Sequence, residues 1–294
     1  MDNPEGSRTR VACIDPVETM KLTVTEGIAI NCKIMRQIIP LSETARAIIF
    51  GSILGDGSLK VHRTYVNARF SFRHSEKQKS YFDWKVKQLN EISSQNNSWR
   101  QTKDGRDGWG KIKWRYQSLA LPALTELYKL THPHGKFLIR RKWLNLLTPL
   151  SLAIWWQDDG SIIANGRKGV ICTDGFTKPG VTLLQKYLKV VWQIETTVAP
   201  KNRQRPDQVR LWLNSSEQLQ SLLRIILPHL AVEKMIPKFI LLYHNHQLQQ
   251  RWISEVAALS KFSLEIVQQY YELKKAKWKN YKEQSSENDI VQSV

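Results

Sequence analysis

The sequence is short of acidic residues and of cysteine, and it has no long apolar run. Asp and Glu number 26 against 44 Lys and Arg, a formal charge of +18. That surplus goes well beyond what keeps a small domain dispersed, and it points to a polyanionic partner, nucleic acid first. Only three cysteines occur, Cys13, Cys32 and Cys172, widely spaced and odd in number. They exclude a disulfide framework and a four-ligand zinc site, and they fit a reducing compartment. No apolar stretch reaches the roughly 18–20 residues of a membrane span. The first twenty residues carry Asp2, Glu5, Asp15 and Glu18, where an export or import signal would be basic and apolar. A membrane surface is excluded as the main partner, because the basic residues are spread along the chain and not gathered on one amphipathic helix.

What is there is ample for a core: 41% hydrophobic residues and eleven tryptophans in 294 residues allow one large domain or two fused smaller ones. Residues 1–40 show no clean period and form an N-terminal extension. Ser42 then caps an apolar helix through Ala45, Ile48, Ile49 and Ile53 that stops at Gly55-Asp56-Gly57. Period-2 alternation follows at Asn67–Arg73 and, most clearly, at Lys111–Gln117, the mark of half-buried strands. Helical stretches at 77–92 and about 121–130 complete a first half, residues 41–147. Thr148-Pro149 opens a second apolar helix that closes at Asp158-Asp159-Gly160. Strand-like 169–173, helical 181–192, strand-like 209–213 and helical 217–226 repeat the order, giving a second half, residues 148–260. Residues 261–294 read as a basic helix to Lys282 and a loose polar tail from Gln284.

Five Asp-Gly pairs occur, beginning at Asp56, Asp104, Asp107, Asp159 and Asp174, and an Asp-Gly pair by itself is a turn. Asp56 and Asp159 differ because each ends an apolar helix, where the negative end of the helix dipole disfavours a carboxylate unless a positive group stands nearby. If the two helices pack side by side, the carboxylates converge, and two like charges a few ångströms apart share a proton or hold a metal. Oxygen ligands suit Mg²⁺, which in phosphodiester cleavage activates a water and stabilises the leaving oxygen. Gly51, Ser52 and Gly55 on one helix and Ala153 on the other allow a close approach.

Ile49-Phe50-Gly51-Ser52-Ile53-Leu54-Gly55-Asp56-Gly57 and Leu152-Ala153-Ile154-Trp155-Trp156-Gln157-Asp158-Asp159-Gly160 resemble the two signature helices of a single-chain LAGLIDADG homing endonuclease. Leu147-Thr148-Pro149 is similar to the branch that includes the mitochondrial omega-intron endonuclease. The resemblance, over roughly residues 41–250, implies an α+β fold of two pseudo-symmetric αββαββα halves whose saddle-shaped antiparallel sheets lie in the DNA major groove. It implies Asp56 and Asp159 as metal ligands, Asp159 in preference to its neighbour Asp158, and Lys136 and Lys238 as residues that position the attacking water. Lys136 follows Asp56 by 80 residues and Lys238 follows Asp159 by 79, so the two pairs repeat at nearly one interval. Trp155, Trp156 and Asp158 are bulky or charged for a helix contact, so the interface is expected to be asymmetric.

Candidate DNA readers in the first half are Lys60, His62, Asn67, Arg69, Arg73, Lys113, Arg115 and Gln117. Asn165, Arg167, Arg203, Arg210, Trp212 and Asn214 are their counterparts in the second. His244-Asn245-His246 is too contiguous for a ββα-metal nuclease, and His132 and His134 lack further ligands for zinc. The expectation is a monomeric, Mg²⁺-dependent endonuclease that cuts a specific double-stranded DNA site and is encoded in a group I intron of a chloroplast or mitochondrion. The alternative is an RNA maturase on the same fold, which binds intron RNA.

Overall fold

The two apolar helices lie at the centre. In the computed structural model, which describes residues 40–102, 112–163 and 166–291, they are α1 (Glu43–Leu54) and α5 (Pro149–Asp159). Every residue from Ala45 to Leu54 is buried, and so is every residue from Ser151 to Asp158. A helix apolar on all sides belongs inside, and these two lie against each other. The Ser42 hydroxyl caps α1 by accepting from the Ala45 amide at 3.1 Å. Thr148 and Ser151 form a reciprocal capping box at the start of α5, with Pro149 at its first position. The small residues meet their purpose here. A Cβ on Gly51 would stand 2.4 Å from the Ser151 carbonyl oxygen and 2.7 Å from Ile154 Cβ, and one on Gly55 would stand 2.5 Å from Asp158 Cβ.

Each central helix opens the same series. The first half runs α1, β1 (Gly57–Lys60), β2 (Arg69–Ser75), α2 (Lys79–Gln88), β3 (Ser98–Gln101), β4 (Lys113–Gln117) and α3 (Pro122–Thr131), with a short α4 (Arg141–Leu144) leading to the second. The second runs α5, β5 (Gly160–Ile163), β6 (Lys168–Ile171), α6 (Lys178–Trp192), β7 (Thr197–Asn202), β8 (Arg205–Leu213) and α7 (Ser216–Ile226). This is the expected αββαββα, twice. The antiparallel sheets have matching orders, β1-β2-β4-β3 and β5-β6-β8-β7. One face of each packs on helices: Phe70, Phe72 and Tyr116 point inward in the first, and Val209, Leu211 and Leu213 in the second. The opposite faces are open.

Two more helices follow, α8 (His246–Leu259) and α9 (Leu264–Val291). The polar stretch from Gln284, expected to be loose, continues α9 to Val291. No glycine or proline occurs after Phe262 to stop it, and polarity alone does not break a helix. Among the described residues no helix is long and apolar enough to cross a membrane.

Candidate active site and nucleic-acid interface

Asp56 follows the C-cap of α1, and Asp159 is the last residue of α5. Side-by-side packing brings their charges within reach of one another. The Asp159 carboxyl is pushed up to about 7 by burial, then by the negative charges of Asp56 and Asp158. Asp56 goes the other way. Burial raises it, but a hydrogen bond from His74 and the positive charges of His74, Lys85 and Lys238 outweigh that and hold it below the usual carboxylate value.

Asp158 is the neighbour that the site treats differently. Its side chain is wholly buried, and Lys85 Nζ donates to both carboxylate oxygens, at 3.2 and 3.1 Å. Tyr81 Oη donates at 2.9 Å, and the Asp56 backbone N–H adds a contact at 3.3 Å. The same charge and burial push the Tyr81 hydroxyl well above its ordinary value, burial being the larger cause. Lys85 Nζ also stands 3.4 Å from His74 Nε2, and His74 Nδ1 lies 3.3 Å from Asp56 Oδ2. Nδ1 is thus the ring nitrogen that faces Asp56, although the contact is poorly aligned for a hydrogen bond. His74, Tyr81 and Lys85 were not singled out in the sequence. Their signal is a polar or charged side chain at an inward position, between Phe72 and the apolar face of α2.

Lys238 closes the site from the second half. Its Nζ donates to the carbonyl oxygens of Gln157, at 2.5 Å, and Asp158, at 3.1 Å. This is the positive group that the negative end of α5 requires. Burial lowers its amine, opposed by the charges of Asp158, Asp56 and Asp159. Lys136 is placed otherwise. Its side chain is exposed, and no described hydrogen bond or ion pair engages it. Its neighbours Gly135 and Phe137 line a cavity of about 470 Å³ together with Gly55, Gly57 and Phe176.

Asp56, His74 and Asp158 offer ligand atoms within 4.8 Å of one another. Of that group only Asp56 suits a cation, because the buried Lys85 already neutralises Asp158 and a second positive charge beside it would be repelled. The carboxylate with no hydrogen bond or ion pair among the described residues is Asp159, raised to about 7 by burial first and then by the charges of Asp56 and Asp158. Carboxylate oxygens at Asp56 and Asp159 are a donor set that fits a hard divalent ion, with His74 beside the first of them.

The open face of the first sheet gathers most of the candidate readers. Arg69 pairs with Lys60, Arg73 with Arg115, and Ser71 with Gln117, all on the side away from the Phe70 and Phe72 rings. Lys113 lies on the same face. Lys60, His62, Arg69 and Gln117 line a cavity of about 330 Å³ with Tyr65 and Ser71. Asn67 instead accepts from Thr125 of α3 at 3.0 Å. Trp99, opposite Arg115 and under its guanidinium at 5.5 Å, belongs to this face and was missed because its strand is short and at the edge. In the second sheet Arg210 and Trp212 share the open face, Asn214 is exposed just past β8, and Arg203 is exposed in the β7–β8 turn. Arg210 is committed within the protein. Its guanidinium donates twice to Asp174 at 2.6 Å, and Lys201 adds a third bond at 2.8 Å. These bonds, Arg210's first, take the Asp174 carboxyl down to about 2. Arg167 lines a different cavity, between α7 and α8. Asn165 lies outside the described residues.

Residues 46–219 match the model of the LAGLIDADG DNA endonuclease family. The chain is 29% identical over 162 residues to the RecA protein of Mycobacterium shimoidei, which is 51% of this chain and 36% of that one. It thus spans little more than a third of the length of that relative. It is 26% identical over 176 residues to DNA endonuclease I-ChuI of Chlamydomonas applanata, covering 56% of this chain and 80% of that protein. Cytochrome b mRNA maturase bI2 of Debaryomyces hansenii is 24% identical over 194 residues, covering 65% and 72%. Among solved structures, the homing endonuclease I-WcaI bound to its DNA recognition sequence shares the fold, with a TM-score of 0.59 at 21% identity over 69% of this chain and 88% of that one.

Proposed function

Since the chain belongs to the LAGLIDADG DNA endonuclease family and carries both signature helices in one polypeptide, we propose that it is a site-specific homing endonuclease that cuts both strands of a DNA duplex by Mg²⁺-dependent hydrolysis. The observation that carries this reading is the Asp56–Asp159 pair at the adjoining ends of α1 and α5, with Asp159 pushed up to about 7 by burial and then by the charges of Asp56 and Asp158. A bound divalent ion supplies positive charge, lowers the pKa of a water and stabilises the leaving oxygen.

The chain's own residues do the rest. Asp56 and Asp159 hold the ion, and His74, fixed by Lys85, orients Asp56. Lys238, desolvated against the end of α5, holds the attacking water by hydrogen bonding. Lys136 takes the matching part in the first half when its exposed side chain turns inward on DNA binding. Hydrolysis adds one water across one phosphodiester bond in each strand, two waters in all, and leaves short 3′ overhangs. The open sheet faces grip the duplex, with Lys60, Arg69, Arg73, Lys113, Arg115 and Gln117 as the first sheet's readers. One chain supplies both carboxylates, so the enzyme acts as a monomer. Its gene lies in a group I intron of an organelle, and cutting the uninterrupted allele promotes the intron's transfer.

The test uses a duplex spanning the uninterrupted insertion site. The expected result is binding in Ca²⁺ and in Mg²⁺, with double-strand cutting in Mg²⁺ alone. Binding without cutting in Mg²⁺ overturns the enzyme. A second reading, an RNA maturase, is supported by the similarity to the bI2 maturase. Tight binding of the host intron's RNA in place of the duplex selects it.

A further inference from the structure

Lys238 ends a short 3-10 helix, Glu233–Lys238, and residues 239–245 after it are in neither helix nor strand. Phe239, Ile240 and Leu241 are nevertheless fully buried. Buried backbone carbonyls need partners, and here no described backbone N–H supplies them. Side chains do. Five consecutive carbonyl oxygens, Pro237 to Leu241, each accept from a side-chain N–H. Lys274 Nζ donates to Pro237 at 2.7 Å and to Ile240 at 2.6 Å. Trp156 Nε1 donates to Lys238 at 2.9 Å, Trp252 Nε1 to Phe239 at 3.0 Å, and Gln249 Nε2 to Leu241 at 3.0 Å. Gln249 also accepts from the Tyr243 N–H at 2.7 Å.

Trp156 belongs to α5 itself. The other three donors come from α8 and α9, beyond the family match at residues 46–219. Lys274 is the donor that clasps two carbonyls, one on each side of Lys238. Burial brings its amino group down to about 7, and even a neutral amine has two N–H bonds, one for each acceptor.

We propose that α8 and α9 brace the active-site strand, and that Lys274 is a positioning residue that keeps the Lys238 amine on the carbonyls at the end of α5. The proposal rests on the reading in which Lys238 takes part in cleavage, but the brace can be tested without it. The experiment compares the full chain, Lys274→Met, Lys274→Arg and, as a control on the exposed side of the same helix, Lys277→Met. Hydrogen–deuterium exchange is followed in the peptide covering residues 235–243 and in peptides from α1 and α5. Cleavage kinetics use the insertion-site duplex in Mg²⁺.

Lys274→Met is expected to speed exchange in 235–243 at least about tenfold, with α1 and α5 unchanged, and to lower kcat by a similar factor with KM within about twofold. Lys274→Arg recovers part of both, and Lys277→Met changes neither. If Lys274→Met does not fold, Gln249→Leu, which frees the Leu241 carbonyl and the Tyr243 N–H, is expected to loosen the same peptide alone. Unchanged exchange in 235–243, or equal loosening of α1 and α5, overturns the brace. A fall in kcat without faster exchange overturns it too. If the wild type cuts no DNA, the cleavage reading fails while the exchange measurement still decides the brace.

Discussion

Two adjacent aspartates at the end of one helix do opposite work. Asp158 is sealed against Lys85 and Tyr81, while Asp159 makes no such pair and is raised to about 7 by burial and by the charges of Asp56 and Asp158. Breaking a buried ion pair from one side strands the other charge. Asp158→Leu and Lys85→Met are therefore each expected to lose roughly 3–5 kcal/mol in urea unfolding, and the double variant to lose clearly less than their sum. Strict additivity contradicts the pairing. Lys274 gives a pH signature. Its folded-state value, about 7, lies below that of an unfolded lysine, so the cost of burying its charge is present in full below pH 7. That cost is relieved as pH rises from there toward about 10.4. The stability of the wild type relative to Lys274→Met is expected to increase across that window, and a flat difference contradicts it.

The acidic motif was legible at this scale because Asp56 and Asp159 each stand directly before a glycine at the end of an apolar run. His74, Tyr81 and Lys85 were not, since their partner Asp158 is more than 70 residues away in sequence and no local pattern joins them.

Among the elements, the central strands were legible and the edge strands were not. β2, β4, β6 and β8 occupy the middle of their sheets, and the alternation found in the sequence falls on them. β1, β3, β5 and β7 are the edges. Paired on one side only, they are under less constraint to alternate, and three of the four have just four residues. Trp99 was lost with β3 for that reason. The central helices were legible by their caps and their lack of a polar face. Their close approach depends on Gly51 and Gly55 facing Ser151, Ile154 and Asp158. Gly51→Ala would place its new carbon against backbone, which cannot turn aside. A loss of about 1–3 kcal/mol is expected in thermal or urea unfolding, and a neutral or stabilising result contradicts the packing.

Over the whole molecule, the charge of +18 and the two open sheet faces support the proposed DNA partner. Binding through phosphate contacts releases counterions. If the duplex meets about 6–10 basic groups, affinity is expected to fall roughly 10³–10⁵-fold between 50 and 200 mM salt, followed by fluorescence anisotropy in Ca²⁺. A response of less than tenfold contradicts a phosphate-dominated interface. The two-fold repeat gives this surface its extent, and the same repeat brings one carboxylate from each half to a shared end of the central helices.

The central claim is that Asp56 and Asp159 together hold the catalytic ion, and cleavage of the insertion-site duplex in Mg²⁺ by Asp56→Asn and Asp159→Asn tests it most directly. Each variant is expected to bind the duplex in Ca²⁺ within about tenfold of the wild type and to make no double-strand cut. Double-strand cutting at the wild-type rate by either variant contradicts the account and removes that carboxylate from the site.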